Sequence, residues 1–198
     1  MITQETPTIL IAYPQAFGCY EKFERKIDVI LSNLTHFRLS YIADYNYFIT
    51  KHFSSDKRIT DAVDMSDENY LNNITHAIIF NDGESFNNLI ADAKTTGIKS
   101  RIIETNITKV VNIDKGGKHD IYIGRGSPWG NPYAIGFEGD ERDDVIRKYK
   151  YDFDRGFLKS SKEDALKLKG RVLGCHCKPM ACHGDVIAEY LNSLDDGK

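Results

Sequence analysis

No apolar run in this chain approaches the roughly 18 to 20 residues that cross a bilayer, and the first residues lack the basic-then-apolar layout of a signal peptide. A membrane partner is therefore not expected, and the protein is expected in the cytosol. Basic charge is not in excess either: 26 Lys and Arg stand against 29 Asp and Glu, a net charge of -3. Nucleic acid would have to be held by a local patch, because no global field attracts it. Cysteine is sparse, with four in 198 residues. Cys175 and Cys177 are tightly clustered, and a cytosol is reducing, so metal binding, reactivity or burial as free thiols is expected in place of disulfides. What remains is ordinary globular composition, 41% hydrophobic and 28% charged. The length suits one sizeable core or two small domains.

Residues 8–13 (Thr-Ile-Leu-Ile-Ala-Tyr) make the short apolar run of a buried strand, and Tyr20, Phe23, Ile27, Ile30, Leu31 and Leu34 follow at helical spacing. Residues 37–43 read as a second strand, 45–53 and 67–74 as helices, and 76–80 as another strand. A helix over 86–96 is stopped by Gly97, and 98–104 read as a last strand. Strands alternating with helices predict a mostly parallel sheet covered on both faces, with ligands at the carboxyl ends of the strands.

Residues 9–34 and 77–103, the latter with Phe80-Asn81-Asp82-Gly83-Glu84-Ser85, resemble the first and last units of the SLOG superfamily. These are Rossmann-like nucleotide-binding domains related to the DprA and Lonely-guy proteins. The resemblance implies a Rossmann-like α/β domain over residues 1–106. The family's glycine-rich phosphate loop is expected after the second strand, where this chain has Ala43-Asp44-Tyr45-Asn46-Tyr47-Phe48. Without glycines a backbone cannot approach a phosphate as closely. Two readings stand: a structural or partner-binding domain, or a retained pocket lined by Tyr13, Asp82, Gly83, Glu84 and Ser85.

In the second half, residues 109–113 and 121–123 read as strands around a turn at 115–118, a hairpin or meander signal. The next stretch, Gly124-Arg125-Gly126-Ser127-Pro128-Trp129-Gly130-Asn131-Pro132-Tyr133, is a shaped loop whose backbone can present several amides to an anion. Arg125 adds a planar fork suited to phosphate, Trp129 and Tyr133 offer stacking faces, and Arg142 is a further candidate. The alternatives are a polymer-binding surface, or a structural turn with Trp129 as a core anchor. Val145, Ile146, Tyr149, Phe153 and Phe157 recur at helical spacing, residues 162–169 form another helical piece, and 171–174 a short strand.

That strand delivers the chain to Cys175-His176-Cys177-Lys178-Pro179-Met180-Ala181-Cys182-His183, where three of four cysteines and two of six histidines fall together ahead of a helical pattern through Leu194. Cys175, Cys177, Cys182 and His183 offer a Cys3His set for zinc, although neighbouring residues such as Cys182 and His183 rarely turn both side chains onto one metal. Alternatively Cys182 at a helix start is a nucleophile, with His183 and Asp185 as general acid and base. The third reading is plain packing with His183 as a cap.

Tyr122-Ile123-Gly124-Arg125-Gly126-Ser127, Trp129-Gly130-Asn131-Pro132, Asp140-Glu141-Arg142 and the cysteine loop resemble, in order and spacing, the family termed domain of unknown function 4326, which occurs in phages and bacteria. The resemblance covers residues 108–194. Its shared positions here are Gly124, Arg125, Gly126, Ser127, Gly130, Asn131, Pro132, Arg142, Cys175, Cys177, Cys182, His183, Gly184 and Asp185; His176 stands where the family more often has an aromatic. Residues 107–198 are thus expected as a smaller α/β domain of a plausibly phage-encoded protein working in a host cytosol. The expected function is processing of a nucleotide or nucleotide-sugar, by N-glycosidic or phosphate-ester hydrolysis or by transfer. Arg125 and the loop amides would bind phosphate and Trp129 would stack on a base. The rival is a non-catalytic protein that sequesters a nucleotide, or binds a host protein or nucleic acid, with the cysteine loop stapled by zinc or simply packed. A homo-oligomer is compatible with either.

Overall fold

The structure, a computed structural model, describes residues 6–65, 71 and 73–198. It divides into two compact units: the chain up to Thr105 together with Asp195–Lys198, and Asn106–Leu194.

The first unit is built on a parallel five-stranded sheet of order β3-β2-β1-β4-β5. Its strands are β1 (Thr8–Ala12), β2 (Phe37–Ile42), β3 (Ile59–Asp64), β4 (His76–Asn81) and β5 (Lys99–Glu104). The helices are α1 (Tyr20–Leu31), α2 (Phe48–Phe53) and α3 (Asn87–Thr95). Alternate residues of a strand point to opposite faces. Leu10, Ala12, Ala77 and Ile79 accordingly cluster with Leu89 of α3, whereas Phe80 stacks on Phe23 of α1 with ring centroids 5.4 Å apart. Phe23, Ile27 and Leu31 supply the buried stripe of α1; each such buried side chain stabilises by roughly 1.5–3 kcal/mol. This is the Rossmann-like α/β sheet expected of the first half.

Two local details differ from expectation, and a third is not tested. β3 carries no apolar run in the sequence because it is an edge strand, paired to β2 alone, with Thr60, Asp61 and Asp64 exposed; charged edges keep an open ladder from pairing further. The helix expected from residue 45 begins only at Phe48, since Ala43 and Tyr47 take positive φ and form a turn. The helix expected over 67–74 lies largely outside the described residues.

The second unit holds a parallel three-stranded sheet, β6-β8-β7, made of β6 (Lys109–Asn112), β7 (Ile121–Tyr122) and β8 (Val172–Cys175). Around it lie α4 (Arg142–Arg155), α5 (Lys162–Ala165) and α6 (His183–Ser193). The expected hairpin is overturned: β6 and β7 do not pair, and β8 runs between them, parallel to both. Leu173, Gly174 and Cys175 are fully buried and so take the central position. Gly174 makes the close approach possible, because a Cβ there would lie 2.6 Å from the His119 ring and 2.9 Å from Ile113. Phe157 falls outside α4, which ends at a left-handed Gly156, and is 68% exposed. The core comprises Ile123, Tyr149, Phe153, Leu168, Leu173, Ile187 and Leu191. Among the described residues no helix is long and apolar enough to cross a membrane.

Candidate functional site

At the carboxyl end of β2, where a SLOG domain's phosphate loop is expected, the structure places Asp44. Its carboxylate accepts hydrogen bonds from the Ile49 and Thr50 amides at the start of α2, at 3.0 and 2.8 Å, and from the Tyr13 hydroxyl at 2.6 Å. Burial opposes its charge, but those donors outweigh it and hold the Asp44 carboxyl below the usual carboxylate range. Amides that could face a phosphate are thus taken by a side chain of the chain itself. Tyr13 is fully buried. Asp82 accepts from the Glu84 and Ser85 amides and from the Ser85 hydroxyl, closing its loop on itself. The reading of Tyr13, Asp82, Gly83, Glu84 and Ser85 as a retained pocket is not supported by this geometry.

In the second unit the two singled-out loops meet at one cavity of about 190 Å³. It is lined by Gly124, Arg125, Asn131, Tyr133, Ile135, Arg142, Val145, Ile146, Cys175, His176, Cys177, Ala181, Cys182 and His183. Arg125 donates to the Tyr133 carbonyl at 3.2 Å and Arg142 to the Ala181 carbonyl at 3.2 Å. A guanidinium has five N–H donors, so each arginine has capacity left for a ligand. Asn131 is a brace: its Oδ1 accepts from the Tyr133 amide and its Nδ2 donates to the Val145 carbonyl.

The glycines of the loop serve close packing. A Cβ at Gly124 would lie 2.2 Å from the Tyr122 hydroxyl oxygen, and one at Gly130 would lie 2.8 Å from the Gly124 carbonyl; Gly126 sits at φ +94°. The Ser127 and Gly130 amides donate to the Gly124 and Ser127 carbonyls, and the Trp129 amide to the Ser127 hydroxyl. These three amides, expected to face an anion, are used inside the loop. Ser127, Trp129 and Gly130 line a separate cavity of about 260 Å³. The half-buried Trp129 packs against the core there, so a base stacked on it would not share the Arg125 cavity.

Beneath the arginines lies the cysteine cluster. Cys182 is the extended N-cap of α6 (φ -138°, ψ 147°), and its sulfur accepts from the Gly184 amide at 3.4 Å. The Asp185 carboxylate completes the capping box by accepting from the Cys182 amide at 2.9 Å, and it pairs with Lys178 at 2.6 Å. Asp185 does not line the cavity, and its geometry is that of a helix cap. His183 is buried, with Nε2 2.9 Å from the Ile123 carbonyl and Nδ1 3.7 Å from the Cys182 sulfur. The donor atoms of Cys175, Cys182 and His183 lie within 4.8 Å of one another, and the Cys177 sulfur is 3.7 Å from that of Cys175. Hydrogen bonding from Cys182 pulls the Cys175 thiol pKa down, while the same bond and burial push Cys182 up; burial and the Cys175 charge raise Cys177. This Cys/His cluster could hold a metal ion.

One grouping was not singled out in the sequence. His176 Nδ1 lies 2.9 Å from both Asp114 carboxylate oxygens, and its Nε2 lies 3.2 Å from the Tyr122 hydroxyl. The available signal was His176 itself, a histidine standing between two clustered cysteines; its partners come from other strands and share no motif with it.

Residues 6–111 match the minimal SLOG domain, and residues 108–193 match a domain of unknown function (DUF4326). An uncharacterized 12.4 kDa protein in the nrdA-td intergenic region of Enterobacteria phage T4 is 39% identical over 90 residues, which is 44% of this chain and 81% of that protein. No solved structure matches the chain. The parallel α/β sheet of the first unit and this match over more than half of the length agree, and the chain belongs to the minimal SLOG domain family, its second unit carrying the DUF4326 domain.

Proposed function

We propose that the second unit is a zinc-stapled pocket for the phosphate end of a nucleotide-like small molecule, and that it processes this ligand at a phosphate ester. One observation carries the reading: Arg125 and Arg142 line the same cavity as Cys175, Cys177, Cys182 and His183. Forked guanidinium groups suit phosphate oxygens. The cavity volume of 190 Å³ is below the roughly 300–1,000 Å³ that encloses a whole ligand. It therefore suits a phosphoryl or sugar-phosphate end, with the rest of the molecule outside.

Zinc fits the cluster by chemistry and by spacing. Ligand distances of roughly 2.3 Å for sulfur and 2.0–2.1 Å for nitrogen give tetrahedral edges of roughly 3.8 Å between sulfurs and 3.6 Å between sulfur and nitrogen. The Cys175–Cys177 and Cys182–His183 separations are both 3.7 Å. Cys175, Cys182 and His183 form the close group; if Cys177, outside that group, turned in as the fourth ligand, all four positions would be taken by protein and the ion would hold the loop in place, a structural role.

A second reading has its own support. His183 is committed to the Ile123 carbonyl and Asp185 to the cap and Lys178, so the acid and base candidates of the cysteine loop are engaged elsewhere. That favours sequestration of the same ligand without turnover. Thermal-shift and turnover assays with a panel of nucleosides and their mono- and diphosphates address both. Stabilisation by phosphorylated members only, lost in Arg125→Ala and Arg142→Ala, is expected; equal response to nucleosides, or arginine variants that still respond, would sink the phosphate pocket. Product formation separates processing from sequestration.

A further inference from the structure

We infer that the first unit carries a ligand site of its own, for a small aliphatic carboxylate, between the end of α1 and the amino ends of β1, β4 and β5. The site does not depend on the phosphate reading of the Arg125–Arg142 cavity. It also lies at the opposite sheet edge from the carboxyl ends, where parallel sheets usually place their ligands.

The cavity measures about 530 Å³, inside the roughly 300–1,000 Å³ that encloses a small molecule. Strand register explains its make-up. Ile9 pairs with His76 and His76 with Lys99, while Ile11 pairs with Ile78 and Ile78 with Arg101. Residues level with one another on parallel strands share a face, and so do alternate residues of one strand. His76, Ile78, Lys99 and Arg101 are therefore neighbours on the face where Phe80 meets Phe23 of α1. There α1 contributes Ile30 and Leu31 to the cavity, and Leu34 adds to them just past the helix end. Lys99 and Arg101 are exposed on the edge strand β5.

The lining is one-sided in charge and in shape. Its apolar members are all aliphatic, with Ile9, Leu31 and Ile78 buried and Ile30 and Leu34 half-buried, and no Phe, Tyr or Trp is present to stack on a base. Both charged side chains are cations and no acid lines the cavity, although acids outnumber bases in the chain, 29 to 26. Among the described residues neither Lys99 nor Arg101 makes a hydrogen bond or ion pair. Two residues apart on one strand, their backbones are separated by about 6–7 Å, and an anion between the two charges relieves their repulsion.

Thr75 fixes the state of the third polar group. Its hydroxyl has one proton and gives it to the Thr8 carbonyl at 3.0 Å. At the 2.9 Å contact between Thr75 Oγ1 and His76 Nδ1 the ring is therefore the donor, and Nε2 of the neutral ring is an acceptor. Burial, with Lys99 nearby, holds His76 below its usual pKa and so keeps it neutral. A carboxylate paired with Lys99 and Arg101, carrying a hydroxyl on the adjacent carbon for His76 and an aliphatic chain for the isoleucines and leucines, satisfies every group of the lining. That ligand is a 2-hydroxy acid.

Isothermal titration of the full-length protein with hexanoate, octanoate, 2-hydroxyoctanoate, octyl phosphate and octanol tests this. The octanoates should bind at one site, and octanol about tenfold or more weakly, since it lacks the charge-assisted bonds. From hexanoate to octanoate affinity should rise by up to about fourfold per methylene, the transfer value of a buried CH2. Lys99→Gln and Arg101→Gln, both at exposed positions, should keep the fold by circular dichroism, weaken the acids and leave octanol unchanged. Ile30→Glu, which sets a carboxylate in the wall, should abolish binding of the acids. His76→Leu should remove the preference for 2-hydroxyoctanoate over octanoate. Octanol binding as well as octanoate, or acids indifferent to Lys99→Gln and Arg101→Gln, overturns the proposal. Octyl phosphate binding tighter than both acids upholds the anion site and overturns the carboxylate as its head group. A dimer in sedimentation equilibrium that Ile30→Glu dissociates shows that a second copy covers this face, and overturns the ligand site as well.

Discussion

His183 Nε2 lies 2.9 Å from the carbonyl oxygen of Ile123, sixty residues away in the sequence. A carbonyl can only accept, so the ring proton is on Nε2 and the Nδ1 lone pair faces the Cys182 sulfur at 3.7 Å. Histidines that bind metals use one nitrogen for the ion and give the other N–H to a carbonyl or carboxylate. The second-unit core therefore holds His183 in the form a metal requires.

The first prediction follows from that pairing. Purified protein should carry stoichiometric zinc by elemental mass spectrometry, and a chelator should lower the melting temperature. Cys175→Ser and His183→Ala should each reduce the zinc content. His183→Ala also strips the Ile123 carbonyl of its buried partner, at about 1–3 kcal/mol. Metal-free protein with undiminished stability would rule out the staple.

Gly184 lies directly after the cluster, packed against β6 and the end of β7. A Cβ there would sit 2.5 Å from Ile123 Cδ1 and 3.2 Å from both Val110 γ-carbons. Gly184→Ala should therefore push the start of α6 outward. A loss of about 1–3 kcal/mol in denaturant melts, with weaker zinc retention in competition with a chelator, is expected; unchanged retention would show that the helix start does not set the ligand geometry.

Asn192 in α6 pairs with both backbone groups of Thr108: its Oδ1 accepts from the Thr108 amide at 2.7 Å and its Nδ2 donates to the Thr108 carbonyl at 3.0 Å, all buried. Asn192→Ala leaves an amide and a carbonyl without partners. Each such group costs about 1–3 kcal/mol, so urea unfolding of the second unit should shift by about 2 kcal/mol or more.

Asp44 makes the stability of the first unit depend on pH. Its folded carboxyl is held below the ordinary value of 3.8, so its contribution is complete above that value and is lost as pH falls through 3.8 and below it. Asp44→Asn should destabilise the first unit at neutral pH by about 1–2 kcal/mol, a figure appropriate to hydrogen bonds on a partly exposed charge. The difference from wild type should shrink in acid. A difference constant from pH 7 to pH 2 would show that Asp44 acts through shape and not through charge.

The first sheet was largely legible because β1 and β4 are buried on both faces and read as continuous apolar runs. β3 was not, since an edge strand needs no such run. The expected hairpin fails for a related reason: a turn at 115–118 shows that the chain bends, not that the flanking strands pair, and here β6 and β7 run in the same direction on either side of β8. Leu173 and Cys175 decided that by needing burial between two neighbours.

By itself the sequence determined the ingredients of the site: arginine among glycines in one loop, three cysteines and a histidine in another, and a helix starting at Cys182. Their union belongs to the tertiary structure. Neighbouring residues seldom aim at one point, but Cys182 is extended while His183 begins a helix. That change of backbone direction brings sulfur and imidazole within 3.7 Å. Asp114, Tyr122 and His176 share no local pattern, because the parallel pairing of β6, β8 and β7 alone brings three distant strand ends to one edge.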